Sequence, residues 1–324
     1  MDEKAMEIRL PSEDAAASNE PVDAKESEPA DSASSEPAPS ESPSAESKAK
    51  DCGCARRAFS RLAKAAALSA IVFWWTSFLF LAATQRSLVF PAPAGPMPSP
   101  PDGVEAVALS GREGSATAWW RQGAPGRPIL VYFGGQADSM ETAWRSGSVL
   151  AARDGGLLVV SYPGYEGNPG TASEAALRSV ADAAIKAASG RLPTGPLVVS
   201  GWSLGSSVAA GAAAKASPAA LLLLSPPDSV ASVASDLFPL FPVRLVLRDP
   251  FDTISIAKGM DVPTFVAHGS ADAIVAPRRG RLVSEAAGGA FVEFPGAGHS
   301  LDLAAVRHEF SAWYSGVMRN GERW

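Results

Sequence analysis

Pro196-Leu197-Val198-Val199-Ser200-Gly201-Trp202-Ser203-Leu204-Gly205-Ser206-Ser207 is the stretch on which the reading of this chain turns. A short apolar run ends in Gly-x-Ser-x-Gly, and an Ala-rich run, Val208 to Ala216, follows it. Strand, sharp turn and helix is the context in which that motif has chemical meaning. The turn forces its central residue into a strained backbone conformation, so the residues two away on each side must be small. Gly201 and Gly205 meet that need. Ser203 is then expected at the carboxyl end of a central strand, its hydroxyl exposed and a helix N-terminus beneath it.

Working outward, short apolar runs recur at 104–109, 116–120, 128–133, 157–161, 197–200, 219–224, 262–267 and 290–294. Between the later ones lie helical stretches near 140–153, 173–188, 208–216, 277–287 and 301–317. Such alternation predicts an α/β fold, a mostly parallel sheet covered on both faces. Runs such as Ile129-Leu130-Val131 and Leu221 to Leu224 suit strands buried on both sides.

A serine nucleophile needs a base, and the chain has three histidines. His308 falls within the last helical stretch and His268 at the end of a strand. His299, in the Gly-rich segment Pro295-Gly296-Ala297-Gly298-His299, is the loop residue free to reach the carboxyl edge of the sheet. The base in turn needs a carboxylate to fix its tautomer. Asp272, in His268-Gly269-Ser270-Ala271-Asp272, gives the chain order Ser, Asp, His. Asp228 is the alternative acid, and Asp252 reads as a local structural residue. Donors for an oxyanion are expected from the backbone N–H of Leu204 and from the Phe133-Gly134-Gly135-Gln136 loop, with Gln136 N–H the choice for the second. Trp202, Phe133, Gly135 and the segment Phe238-Pro239-Leu240-Phe241-Pro242 are candidates for an apolar acyl pocket or short cap.

From about Ser87 to Met318 the chain resembles the α/β-hydrolase superfamily, and within it the membrane-anchored α/β-hydrolase-domain serine hydrolases. Phe-Gly-Gly-Gln-Ala (133–137), Tyr-Pro-Gly-Tyr-Glu-Gly (162–167), Gly-Trp-Ser-Leu-Gly (201–205) and Leu-Ser-Pro-Pro-Asp-Ser (224–229) carry the likeness. Leu-Arg-Asp-Pro-Phe-Asp-Thr (247–253), His-Gly-Ser-Ala-Asp-Ala-Ile-Val (268–275) and Gly-Ala-Gly-His (296–299) continue it. The resemblance implies an eight-stranded sheet and a Ser203–Asp272–His299 triad. Relatives usually carry His-Gly-Asn where this chain has Gly134-Gly135-Gln136, which puts the support of the oxyanion loop in question. The implied reaction is acyl transfer from an ester or thioester with an apolar acyl group. It calls for no cofactor and no metal. A peptidase or amidase on the same triad, and a non-catalytic membrane scaffold, are the rival readings.

Residues 1–50 hold 13 acids, 5 bases, ten Ser and six Pro, and read as a disordered tail. A basic juxtamembrane segment follows (51–64), with Arg56, Arg57, Arg61 and Lys64. Then nineteen residues from Ala65 to Ala83 carry no charge. As a helix they extend about 28 Å, close to the hydrocarbon thickness of a bilayer. A retained signal anchor over 65–84 is expected, with the tail cytoplasmic and the large domain on the opposite side by the positive-inside rule. Trp74 and Trp75 fall in mid-span, an irregular place for aromatic residues that favour interfaces. The six prolines of 91–101 read as a semi-rigid spacer within a linker (85–103), leading to a hydrolase domain over 104–320. Cys52 and Cys54 are the only cysteines and are candidates for acylation, so the domain has no disulfide framework and no thiol nucleophile. Beyond the tail, the net charge of −6 resolves to about +2, with no basic surface for nucleic acid. Oligomeric state is not encoded in any motif.

Overall fold

The computed structural model describes residues 45–191, 195–318 and 324, with the backbone alone for residues 45–55. Eight strands form one sheet: β1 (Glu105–Ser110), β2 (Ser115–Arg121), β3 (Ile129–Phe133), β4 (Gly156–Val160), β5 (Leu197–Trp202), β6 (Ala220–Leu224), β7 (Thr264–Gly269) and β8 (Ala290–Phe294). Their order is β1-β2-β4-β3-β5-β6-β7-β8. β2 pairs antiparallel with β1 and with β4, and all other pairs are parallel. Each expected strand is present, as are the helices α2 (Met140–Leu150), α3 (Glu174–Gly190), α4 (Leu204–Ala216), α8 (Pro277–Ala286) and α9 (Leu303–Val317). Three shorter helices, α5 (Val230–Leu237), α6 (Val243–Val246) and α7 (Thr253–Ala257), lie between β6 and β7.

The two faces of the sheet follow from the twofold alternation of strand side chains. Val131, Leu221 and Leu223 pack under α3 and α4, where Leu177, Val180, Val208 and Ala209 are buried. Leu130, Tyr132, Leu222 and Leu224 point the other way, against Val306, Phe310 and Tyr314 of α9 and Met140 of α2. Alanines and glycine let α4 lie close on the sheet, and its residues 204–213 are all buried. Parallel register then aligns the strand ends. Phe133 is level with Gly201, Gly201 with Leu223, and Leu224 with Ala267. The loops after β3, β5, β7 and β8 therefore open on the same edge.

The N-terminal part departs from the expected boundaries. A single helix, α1 (Ala45–Val89), includes the last residues of the expected tail, the basic segment and the start of the expected linker. Residues 1–44 of the tail lie outside the described residues, and of Cys52 and Cys54 only the backbone is described. The span Arg56–Val89 is long and apolar enough to cross a membrane, with a mean hydropathy of 1.9 in its most apolar window. From Ala66 onward the chain forms one compact unit with the sheet. The stretch after α1 is not a free spacer. Phe90 is buried in the core against Phe251, Arg86 pairs with Asp249 at 2.9 Å, and Glu166 N–H donates to Pro93 C=O. Burial of one aromatic ring and a half-buried ion pair outweigh the spacer character of the prolines. The Phe238–Pro242 segment lies between β6 and β7 and packs beside α1. Phe238 and Phe241 face Phe78 and Leu81 of α1 across a small apolar cleft.

Candidate active site

Ser203 follows β5 and precedes α4 with φ 53° and ψ −118°, the strained turn that the motif requires. A Cβ on Gly201 would meet Gly205 C=O at 2.1 Å, and one on Gly205 would meet Phe133 C=O at 2.2 Å. The two glycines are thus fixed by close backbone approach. Ser203 N–H donates to Leu224 C=O at 2.9 Å. Ser206 Oγ, within reach of the Gly201 and Leu224 carbonyls at 2.7 and 2.9 Å, braces the turn from inside.

The structure brings the three expected residues together. His299 Nε2 lies 2.9 Å from Ser203 Oγ, and its Nδ1 lies 2.7 Å from Asp272 Oδ2. Exposure falls along the relay: Ser203 is half-buried, the His299 side chain is 12% exposed and the Asp272 side chain is sealed. Asp272 Oδ1 accepts the N–H groups of Ile274 and Val275, each at 2.9 Å. Burial alone would push the Asp272 carboxyl up. The hydrogen bonds from His268, His299 and Val275 prevail and hold it well below the usual carboxylate range. An ionised Asp272 only accepts, so Nδ1 of His299 carries the proton and Nε2 offers its lone pair to Ser203.

Asp228 is engaged elsewhere, receiving Arg279 Nη1 at 2.6 Å. Asp252 caps α7 through Ser255 N–H. His308 is exposed on α9. His268 is fully buried behind Asp272, its Nε2 2.8 Å from Val275 C=O and 3.2 Å from Asp272 Oδ2. A carbonyl only accepts, so Nε2 carries the proton, and the acid is held from two sides by imidazole N–H groups. The strand-end His-Gly dipeptide is the sequence signal for this support.

The pocket candidates separate. Phe133 is fully buried among the core residues on the α3 and α4 side, so it underpins the loop and presents no surface to a ligand. Trp202 is half-buried, and its indole N–H donates to His299 C=O at 3.1 Å while its ring lies 5.3 Å from the imidazole. Ser225 Oγ reaches the same carbonyl at 3.2 Å. Trp202 is therefore a positioning residue for the histidine loop. A Trp202→Phe variant keeps an aromatic ring and loses this donor, at about 1 kcal/mol. Steady-state kinetics should then show kcat reduced about fivefold with KM little changed. An unaltered kcat would show that Ser225 alone holds the loop. Gly135 is buried against the Trp202 ring, which a Cβ would approach to 2.8 Å.

The loop after β3 has its own supports in place of the absent histidine. Asp138 Oδ2 accepts Gly135 N–H at 2.7 Å. The hydroxyls of Tyr162 and Tyr165 donate to Gly134 C=O and Gln136 C=O. Burial raises the pKa of both phenols, which keeps them protonated as donors. With Gly135 N–H taken, Gln136 N–H is left without an acceptor among the described residues, as is Leu204 N–H at the start of α4.

A strained serine between a central strand and its helix marks a serine hydrolase of the α/β class, and the chain belongs to the α/β-hydrolase superfamily. Within it, the chain falls in one family with the uncharacterized protein Rv2307c of Mycobacterium tuberculosis. The two are 34% identical over 235 residues, covering 68% of this chain and 83% of that relative. A Thioesterase domain family model matches residues 146–227, which include Ser203. Among solved structures, the chain is similar to the Pyrococcus furiosus esterase Pf2001, with a TM-score of 0.52, 13% identity and coverage of 70% of this chain and 96% of the other. It is also similar to a Mycobacterium tuberculosis puromycin-hydrolyzing peptidase, with a TM-score of 0.52, 16% identity and coverage of 69% and 42%. At such identities these two likenesses speak for the fold.

Proposed function

We propose that the protein is a membrane-anchored serine hydrolase that cleaves carboxylic esters or thioesters through an acyl-enzyme on Ser203. The observation that carries the reading is the continuous hydrogen-bonded line from Ser203 Oγ through His299 to Asp272. The match of residues 146–227 to a Thioesterase domain supports an acyl substrate of this kind.

In the first step Ser203 Oγ attacks the substrate carbonyl and its proton passes to His299 Nε2, while Asp272 stabilises the imidazolium. The developing oxyanion is received by the N–H groups of Leu204 and Gln136, a type of contact worth about 3 kcal/mol per donor. His299 returns the proton to the leaving alkoxide or thiolate as the tetrahedral intermediate collapses. Water then attacks the acyl-enzyme with His299 as base, releasing the acid and regenerating Ser203. A span over Arg56–Val89 in the same chain favours an acyl group that partitions into lipid. The basic residues Arg56, Arg57, Arg61 and Lys64 support a cytoplasmic N-terminal side, with the domain on the opposite side.

The test is labelling of the full-length protein in membranes with a fluorophosphonate, beside Ser203→Ala and His299→Ala, followed by a panel of acyl esters, acyl thioesters and acyl anilides. Labelling of the parent alone, and turnover of esters or thioesters above anilides, is the expected result. A folded parent that resists the probe, or one that prefers anilides, overturns the proposal.

A further inference from the structure

Trp74 stands between Lys64 and Arg86, ten and twelve residues away. At 1.5 Å per residue that is about 15 and 18 Å, so in a spanning helix Trp74 lies near the middle of the hydrocarbon. A segment of the hydrolase domain touches it there. The Trp74 indole N–H donates to Leu240 C=O at 3.1 Å, and the Trp74 ring stacks on Phe241 and Phe78 at 5.6 and 5.5 Å. The contact continues along one face of α1 and ends at Gln85, whose side chain donates to Val246 C=O and accepts Arg248 N–H. Arg86 then pairs with Asp249. From residue 240 to 249 the chain thus climbs beside α1 from mid-span to its charged end.

We propose that the segment Leu237–Val243 is itself inserted in the bilayer beside α1, anchoring the hydrolase domain as a second, monotopic membrane contact. The inference rests on the membrane reading of α1 and adds to it. Three features fit hydrocarbon as the surroundings. The segment carries no charge, whereas the flanking Asp236 and Arg244 are directed back to the domain, to Arg279 and Ser232. Its leucines point outward, with Leu237, Leu240 and nearby Leu245 exposed by 60, 77 and 83%. All but one of its backbone donors are consumed, as lipid favours. Phe238, Phe241 and Val243 N–H groups donate to Ala234, Phe238 and Phe241 carbonyls, and Pro239 and Pro242 have none to offer. Only Leu240 N–H lacks a partner among the described residues. The arrangement also accounts for a tryptophan at mid-span, since its indole N–H meets Leu240 C=O and not lipid. The cleft between α1 and the segment is lined by apolar side chains of both elements, among them Phe78, Leu81, Phe238 and Phe241, which leaves the outward leucines to the lipid.

The test uses the full chain with Cys52 and Cys54 replaced by serine, reconstituted in phosphatidylcholine vesicles. Single cysteines at Leu240, Ile71 and Arg145 would carry a nitrobenzoxadiazole fluorophore, all three positions being exposed. Loss of fluorescence at Leu240→Cys and Ile71→Cys with acyl-chain nitroxide lipids, exceeding that with headgroup nitroxides, is expected, with no loss at Arg145→Cys. Deep quenching at Ile71→Cys alone overturns the insertion and leaves α1 as the only anchor. No quenching at Ile71→Cys overturns the membrane reading and the insertion with it.

Discussion

An Asp272→Asn variant should lose about 10,000-fold in kcat with KM nearly unchanged, the scale expected when the base is held in the wrong tautomer. The two oxygens of Asp272 divide their work between the backbone and the imidazoles. Oδ1 takes Ile274 and Val275 N–H, and Oδ2 takes His299 Nδ1 with His268 Nε2 close by. An asparagine keeps its oxygen on the two backbone donors and so turns its amide N–H groups toward His299. The ring then presents Nδ1 as the acceptor and places its proton on Nε2, where it can no longer take the proton of Ser203. His268 retains Val275 C=O, so the fold survives. Ester turnover and fluorophosphonate labelling rates measure the loss. A decrease under tenfold would assign the orienting role to Trp202 and Ser225 instead. The same carboxylate sets a pH signature. Its folded pKa lies below the unfolded value of about 3.9, so its contribution to stability is fully present above that pH. The contribution is lost as pH falls through the folded value. Chemical denaturation should show a parent-minus-variant stability gap that is flat from neutral pH to about pH 5 and narrows only below about pH 4.

The sheet and the strand-end elbow that carries Ser203 are legible in the sequence for a common reason. Strands buried on both faces must be written as unbroken apolar runs, and the elbow admits only small residues at Gly201 and Gly205. What supports the site was less legible. Asp138, Tyr162 and Tyr165 hold the loop after β3, but nothing in a tyrosine reveals which distant carbonyl its hydroxyl will meet. The apolar ring of Trp202 suggests a pocket wall, but nothing in the sequence shows that its N–H meets His299 C=O. Composition misled at 85–103, where prolines suggest a spacer and the informative residue is the lone Phe90 that enters the core. The Phe238–Pro242 segment, equally apolar, reads as an acyl pocket or short cap, and the sequence carries no sign of its contact with α1.

Gly205→Ala should destabilise the folded domain by about 3 kcal/mol or more, an overpacking effect with no relief at hand. The added methyl would sit 2.2 Å from Phe133 C=O and 2.3 Å from Gly134 C=O, both main-chain atoms that cannot rotate away. Relief requires α4 to lift from the sheet or β3 to shift at its end. The first exposes the buried face of α4, and the second breaks the pairing of Phe133 with Gly201 and displaces the Gln136 loop. For a domain of this size the melting temperature should fall by about 10 °C. Gly316→Ala is the matched control, since a Cβ there meets nothing within 4 Å and an alanine within α9 is preferred by about 1 kcal/mol. Thermal unfolding of both variants in detergent or nanodiscs separates the effects. If Gly205→Ala melts with the parent, the approach of α4 to β3 is looser than 2.2 Å allows, and the strained Ser203 backbone is then held by Ser206 and Leu224 alone.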